Sequence, residues 1–325
     1  GKIMSKEQIL IIDTDTGVDD ALALTMLSNL NNNVDNYSKI IMSSIGGNTS
    51  LKNTHQNMLD IISVTKLQHS EILKGSESTL IGEKFVDAEH YHGKNGLTLQ
   101  LDQNTNSHSK LETYEYLHEL LLKNEAAEVT LLMLGPLTNL AKSLVSIPET
   151  KKIIKSVVIM GGAFYVPGNA TKYAEFNIYA DPEAANIVFK SGLHIKAIGL
   201  DVCDNVIINK EKFYNSQYEF NKSKSVLGKF SNSIIDSFFN YHKDKNEMSL
   251  CDPIAVICLF YENLFSYKSK EVNVDTGKLK KGLTVPTQNK GKIDIAVDLN
   301  IKKVINQTIA KKIPKYKFCL LYTSP

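Results

Sequence analysis

No stretch of this sequence approaches the ~20 consecutive apolar residues that a membrane helix needs. The longest apolar runs, such as Val129–Leu134, are far shorter, and the N-terminus lacks the apolar segment of a secretion signal. A cytoplasmic location is therefore expected by default. Cysteine is scarce: Cys203, Cys251, Cys258 and Cys319 form neither a CxxC pair nor a zinc-like spacing. That pattern predicts reduced thiols rather than a disulfide framework. A charge excess is missing as well, because 37 Lys and Arg stand against 35 Asp and Glu, with the basic residues scattered. Neither a nucleic acid nor an anionic membrane is an expected partner, and a small or neutral ligand fits better. We read Gly1 as the remnant of an added tag and Lys317–Pro325 as a foreign extension, and neither enters the functional argument.

What remains is an ordinary globular composition: 42% of the 325 residues are apolar, enough to bury a sizeable core in one large domain. Short β-like runs at Gln8–Ile12, Lys39–Ser44, Val129–Leu134, Ser156–Met160 and Ile195–Leu200 alternate with helical patterns. Such alternation predicts an α/β fold, a single large domain with a mostly parallel open sheet flanked by helices. Helical spacing marks Leu111–Lys123, and Asp181-Pro182 reads as an N-cap followed by proline in the first turn of a helix over Pro182–Ser191. Toward the C-terminus the pattern predicts a buried helix over Asp252–Leu264, strands at Glu271–Val274, Leu283–Val285 and Ile293–Val297, and a last helix over Ile301–Ala310. The polar, aromatic stretch 201–250 predicts a helical, lid-like insertion within one domain spanning 1–325.

The strongest chemical signal lies where the first apolar strand runs into Asp13-Thr14-Asp15-Thr16-Gly17-Val18-Asp19-Asp20. Ligands of open α/β sheets collect at the carboxyl ends of strands, and Gly17 lets the chain turn before a helix starts near Asp19. Four acids so placed repel one another unless a cation sits among them, and all-oxygen donors favour calcium or magnesium over zinc. Helix-start and turn preferences explain two of these acids, not four. An EF-hand loop carries its glycine sixth from the first Asp, whereas Gly17 is fifth and a strand precedes it. The aspartyl-phosphate motif of the haloacid dehalogenase superfamily matches Asp13 and Asp15, but Gly17 stands where it has Thr or Val.

The run DTDTGVDDA closely resembles the DxDxGxDDA signature of the nucleoside hydrolase family. Further segments resemble the family in order: Gly47-Asn48, His92-Gly93 with Gly96-Leu97, Leu134-Gly135-Pro136-Leu137-Thr138-Asn139, Met160-Gly161-Gly162, Ala174 to Ala185, and Cys251-Asp252-Pro253. The resemblance extends from Ile9 to about Val297. It implies cleavage of the N-glycosidic bond of a ribonucleoside, the substrate and partner, by a water that calcium orients and acidifies. It implies Ca2+ ligands at Asp15, Asp20, the Leu134 carbonyl and Asp252, with Asp252 also against the sugar and the reaction. Asp15 is then the general base, and Asp19 binds the 2-hydroxyl. Asn48, Met160, Asn169, Glu175 and Asn177 face the ribose, His92 stands near the pocket mouth, and Asp13 orients its neighbours. If Glu175-Phe176-Asn177 is extended, the two polar side chains share one face. A homodimer or homotetramer is implied too.

The sequence departs from the best-studied members at Cys251, where they carry the histidine that helps protonate the leaving base. A thiol is a weak donor. His242 and Tyr241, in the lid-like stretch, are the candidates to supply the missing acid, with Cys251 itself in the leaving-group position. Thr16 stands where proline is common in the family. The residues leave open a hydrolase, a phosphatase and a silent nucleoside-binding protein, and none identifies the base.

Overall fold

Ile9, Leu10, Ile11 and Ile12 are fully buried, and they form the heart of β1 (Glu7–Thr14). Leu10 and Ile12 join one core cluster while Ile9 and Ile11 join the other, as the two-residue period of a strand covered on both faces requires. The computed structural model describes residues 6–33, 37–67, 69, 71–98, 111–123, 127–221 and 226–300.

The further strands are β2 (Lys39–Ser44), β3 (Glu71–Lys74), β4 (Ala127–Met133), β5 (Ile154–Met160), β6 (Ile195–Ile198), β7 (Ile207–Asn209), β8 (Glu247–Ser249), β9 (Phe265–Lys270), β10 (Val272–Val274), β11 (Thr284–Pro286) and β12 (Ile293–Leu299). The helices are α1 (Val18–Asn33), α2 (Leu51–Thr65), α3 (Glu89–His92), α4 (Thr113–Lys123), α5 (Thr138–Ser146), α6 (Phe176–Ala180), α7 (Pro182–Phe189), α8 (Leu200–Cys203), α9 (Lys210–Asn221), α10 (Val226–Tyr241) and α11 (Cys251–Phe260). Eight strands form one sheet in the order β3-β2-β1-β4-β5-β6-β12-β9. All neighbours are parallel except β9, which runs antiparallel to β12. The chain is thus one α/β domain on a mostly parallel sheet flanked by helices.

This order reverses direction between β1 and β4, which makes their carboxyl ends the switch point where such sheets bind ligands. Register keeps those ends level: Ile12 lies opposite Met42 on one side and Leu132 on the other. Asp15, Leu134 and Gly161 consequently leave the sheet along one edge.

Several predicted elements shift. The helix expected over Asp252–Leu264 ends at Phe260, and a short 3-10 turn, Glu262–Leu264, follows. The strands expected at Glu271–Val274 and Leu283–Val285 pair only with each other, as β10 and β11, outside the main sheet. Among the described residues of the 201–250 stretch are α9 and α10, and β7 and β8 form an antiparallel pair on either side of them. Asp181 does cap α7, accepting the Ala184 N–H at 3.1 Å with Pro182 in the first turn. The helix expected over Ile301–Ala310, the Lys317–Pro325 tail and Cys319 lie outside the described residues. No helix among those described is long and apolar enough to cross a membrane.

Candidate active site

The turn from β1 into α1 collects the acids. Asp20 Oδ1 accepts the Thr14 hydroxyl at 2.6 Å, and its Oδ2 accepts the Gly17 N–H at 3.2 Å, so the carboxylate closes its own turn. Asn48, arriving after β2, donates its backbone N–H to Asp15 Oδ2 at 3.1 Å and its side-chain N–H to the Asp15 carbonyl at 2.8 Å. Gly17 sits at the bend between β1 and α1, as the sequence suggested, but its φ lies outside the left-handed region. Its role is space: a Cβ there would stand 2.5 Å from His92 Nδ1 and 2.6 Å from Asn48 Nδ2.

From the opposite end of the chain, α11 brings Asp252. Its backbone N–H donates to Asp19 Oδ2 at 3.0 Å, which caps a helix whose own N-cap, Leu250, offers no side-chain acceptor. Asp20 thereby comes within hydrogen-bonding reach of both Asp15 and Asp252. Asp13, Asp15, Asp20 and Asp252 are all at most 3% exposed. None of them, nor Asp19, forms an ion pair with a basic side chain among the described residues. Burial first, then the neighbouring carboxylates, hold Asp15 and Asp252 well above the usual carboxylate range and push Asp19 up to about 8. Asp13 rises to about 7 by burial, although Asn139 donates to its Oδ2 at 2.7 Å.

Whether a cation suits this cluster can be judged from the donors. Asp19 Oδ1 and Asp13 Oδ1 are buried with no hydrogen-bond partner. Three carboxylates crowd together with their repulsion uncompensated, and the Leu134 carbonyl borders the same cavity. No three His, Cys, Asp or Glu side chains among the described residues form a finished metal-binding group. What they provide is an all-oxygen donor set, which fits a hard divalent ion.

Around the cluster opens a cavity of about 480 Å³, in the range of small-molecule sites. Asp15, Asp19, Asp20, Asn48, His92, Leu134, Met160, Asn169, Glu175, Asn177, Cys251 and Asp252 all line it. Asn177 Nδ2 donates to the Leu134 and Met160 carbonyls at 3.1 and 2.9 Å, leaving its Oδ1 for a bound hydroxyl. Glu175 and Asn177 do not sit on an extended chain as predicted. Glu175 is the N-cap of α6, accepting N–H groups from Gly162, Asn177 and Ile178 at 3.0, 2.8 and 3.3 Å, and those bonds start a helix at Phe176. Burial nevertheless raises Glu175 to about 7. Asn169 Oδ1 accepts the Phe176 N–H at 2.9 Å.

His92 is pinned by the Val18 N–H, which donates to its Nδ1 at 3.0 Å. That bond leaves the proton on Nε2, and burial lowers the imidazole to about 3, so the ring is neutral. Cys251 is buried at the wall, its thiol raised by the hydrogen bond with Cys203 and by burial. Cys203, Cys251 and Cys258 are free thiols, as expected.

His242 is the predicted site residue that the structure does not bring into the cavity. Its Nε2 donates to the Tyr91 carbonyl at 2.6 Å, and its ring packs between Phe238 and Tyr241. Tyr241 is 52% exposed and does not line the cavity either. α10 turns this pair away because the large apolar residues Phe238 and Phe239 occupy its inward face. Conversely, Tyr91, Phe176, Tyr179, Asp204, Lys245 and Ser249 line the cavity without having been singled out. For Tyr91 the signal was available, since it directly precedes His92.

The chain matches the family model described as inosine-uridine preferring nucleoside hydrolase over residues 10–313. It is 31% identical over 312 residues to the probable uridine nucleosidase 2 of Arabidopsis thaliana, covering 94% of each chain. It is 34% identical over 302 residues to the pyrimidine-specific ribonucleoside hydrolase RihA of Salmonella paratyphi B, covering 90% of this chain and 94% of that one. Among solved structures, a plant nucleoside hydrolase superposes with a TM-score of 0.80 at 27% identity, covering 93% of this chain and 96% of that one.

Proposed function

This chain belongs to the inosine-uridine preferring nucleoside hydrolase family and is an enzyme that cleaves the N-glycosidic bond of ribonucleosides; from that premise we propose which residues do the chemistry, that Ca2+ is its metal ion, and that uridine is among its substrates. Uridine is chosen because the relatives above are named for uridine and pyrimidine ribonucleosides. The observation that carries the site reading is a buried carboxylate cluster without a basic partner among the described residues, opening on a cavity edged by amides and Glu175.

Asp15, Asp20, Asp252 and the Leu134 carbonyl would hold the ion. Bound there, Ca2+ supplies positive charge that offsets the repulsion of the carboxylates and makes a nearby water easier to deprotonate. Asp15 takes the proton of the attacking water, its carboxylate steadied through Oδ2 by the Asn48 N–H. Asp19, held by the Asp252 N–H, presents its unpaired Oδ1 to the 2-hydroxyl of the ribose. Asn177 Oδ1, Glu175, Asn169 and Met160 form the remaining ribose wall. As the water approaches the anomeric carbon, the C–N bond lengthens and the sugar passes through an oxocarbenium-like state. Asp13, behind the cavity and tied to Asn139, fixes the end of β1. The 201–250 segment serves as the movable wall, a role supported by Lys245 and Ser249 lining the cavity. Slower hydrogen exchange across it on ribose binding is the expected outcome, and unchanged exchange would refute the role.

The test is an assay of free ribose from a panel of nucleosides, with and without a chelator. We expect release from uridine that chelation abolishes and calcium restores. Restoration by zinc but not calcium would overturn the metal assignment, and a panel without uridine turnover would overturn the substrate assignment.

A further inference from the structure

Cleavage of an N-glycosidic bond sends the bonding electron pair into the base, so the base side of the cavity needs an N–H or O–H that is not committed elsewhere. Cys251 lines that wall but is a weak donor already paired with Cys203. His242 faces away, its Nε2–H committed to the Tyr91 carbonyl. His92 Nδ1 is taken by the Val18 N–H at the start of α1, and its ring packs edge-on against that of Tyr91.

Resting on the ribonucleoside hydrolase reading above, the geometry points to Tyr91 as the catalytic residue that donates a hydrogen bond to the departing base. Its side chain lines the cavity, and its hydroxyl has no hydrogen-bond partner among the described residues. Asp19, Cys251 and Asp252 line the same cavity as Tyr91. The rest of the residue is fixed. The Tyr91 N–H donates to the Ala88 carbonyl at 3.0 Å, and His242 holds the Tyr91 carbonyl at 2.6 Å. The ring packs 4.8 Å from that of His92 and 5.3 Å from that of Phe238. Lys245 Nζ stands 5.4 Å from the ring centroid, and a cation on the ring face draws electron density from the phenol and strengthens its O–H as a donor. Burial and the nearby Asp19 keep that hydroxyl protonated. His242 thus acts as a positioning residue for Tyr91.

The step balances without another reagent. Water forms the new C–O bond and yields one proton to Asp15, and the C–N bond breaks with its electron pair going to the base. The Tyr91 O–H shares its hydrogen with that growing charge, and solvent completes protonation of the base.

The experiment compares Tyr91→Phe with wild type on uridine and on p-nitrophenyl riboside, whose leaving group needs no proton. We expect kcat/KM for uridine to fall roughly 10- to 100-fold and that for p-nitrophenyl riboside to stay within about threefold. Adding Cys251→His to Tyr91→Phe should restore at least about tenfold on uridine alone, because it returns a donor to the same wall. Equal effects on both substrates, or none on uridine, would overturn the role of Tyr91 while leaving the hydrolase reading intact. Wild-type protein inactive on both substrates would overturn the hydrolase reading and this inference with it.

Discussion

Gly17→Ala is a one-carbon change with consequences that the site geometry makes large. The new Cβ would stand 2.5 Å from His92 Nδ1, 2.6 Å from Asn48 Nδ2 and 2.8 Å from His92 Cε1. Neither side chain yields cheaply: His92 is 7% and Asn48 5% exposed, and both are hydrogen-bonded. Overpacking of this kind costs about 1–3 kcal/mol, and each displaced hydrogen bond adds about 1 kcal/mol. The expected loss is therefore about 2–4 kcal/mol, read as a fall of several degrees in the thermal midpoint. Catalysis should suffer separately, because Asn48 steadies Asp15, and a shift of about 1 Å in a reacting group costs on the order of 10²-fold. Thermal unfolding and steady-state hydrolysis of uridine measure the two effects. His92→Ala makes room for the new methyl, so the double variant Gly17→Ala/His92→Ala should be more stable than the sum of the single changes by about 1 kcal/mol or more. A Gly17→Ala protein with wild-type midpoint and kcat/KM, or strictly additive energies, would refute the crowding argument.

Asp15→Asn should lower kcat by at least about 10³-fold with KM within about tenfold, since Asn keeps an oxygen for the proposed metal site but cannot take the proton of the attacking water; near-wild-type turnover would show the base to be another acid. The chelated protein should lose stability as pH rises from about 6.5 to 8. Asp13, Glu175 and Asp19, with folded values of about 7, 7 and 8, keep protons that the unfolded chain has already released, so the unfolded state binds fewer protons and gains. His92, lowered to about 3, acts oppositely, but only below its ordinary value near 6.5. Calcium should flatten the slope by favouring the ionised carboxylates, and a midpoint independent of pH with and without chelator would contradict this. Asp181→Ala should cost about 3 kcal/mol or more, because Asp181 accepts from Leu80 N, Thr138 Oγ1 and Ala184 N at 2.8, 2.6 and 3.1 Å. It lies outside the cavity lining, so KM for uridine should hold, and a changed KM with an unchanged midpoint would reverse that assignment.

The acids of β1 were legible because strand, acids and helix start are neighbours in sequence, and their crowding implies its own remedy. The cavity wall at Glu175 and Asn177 was legible from motifs, but its backbone was not: Glu175 caps α6 by accepting the Asn177 and Ile178 N–H groups and also accepts the N–H of Gly162, a residue just after β5 that no local pattern reveals. His242 was misplaced because the direction of a ring depends on which face of α10 the phenylalanines take. β3, β9 and the β7–β8 pair escaped notice because each of these strands buries only one residue and so shows no sustained apolar run. Tyr91 could be marked from its place beside His92, but Lys245 needed the fold, because only tertiary packing brings it over the ring of Tyr91.

The bond from the Asp252 N–H to Asp19 spans 233 residues. During synthesis β1 and its acids emerge early, yet the helix that Asp19 caps is made only after most of the sheet. Contacts of such sequence separation form late and slow a chain's folding. A ribosome-bound chain ending before residue 252 therefore carries the acids of β1 and α1 but neither Asp252 nor the helix that Asp19 caps. On the proposed site, the donor set would be completed in one late event, when α11 docks, and not gradually along the chain.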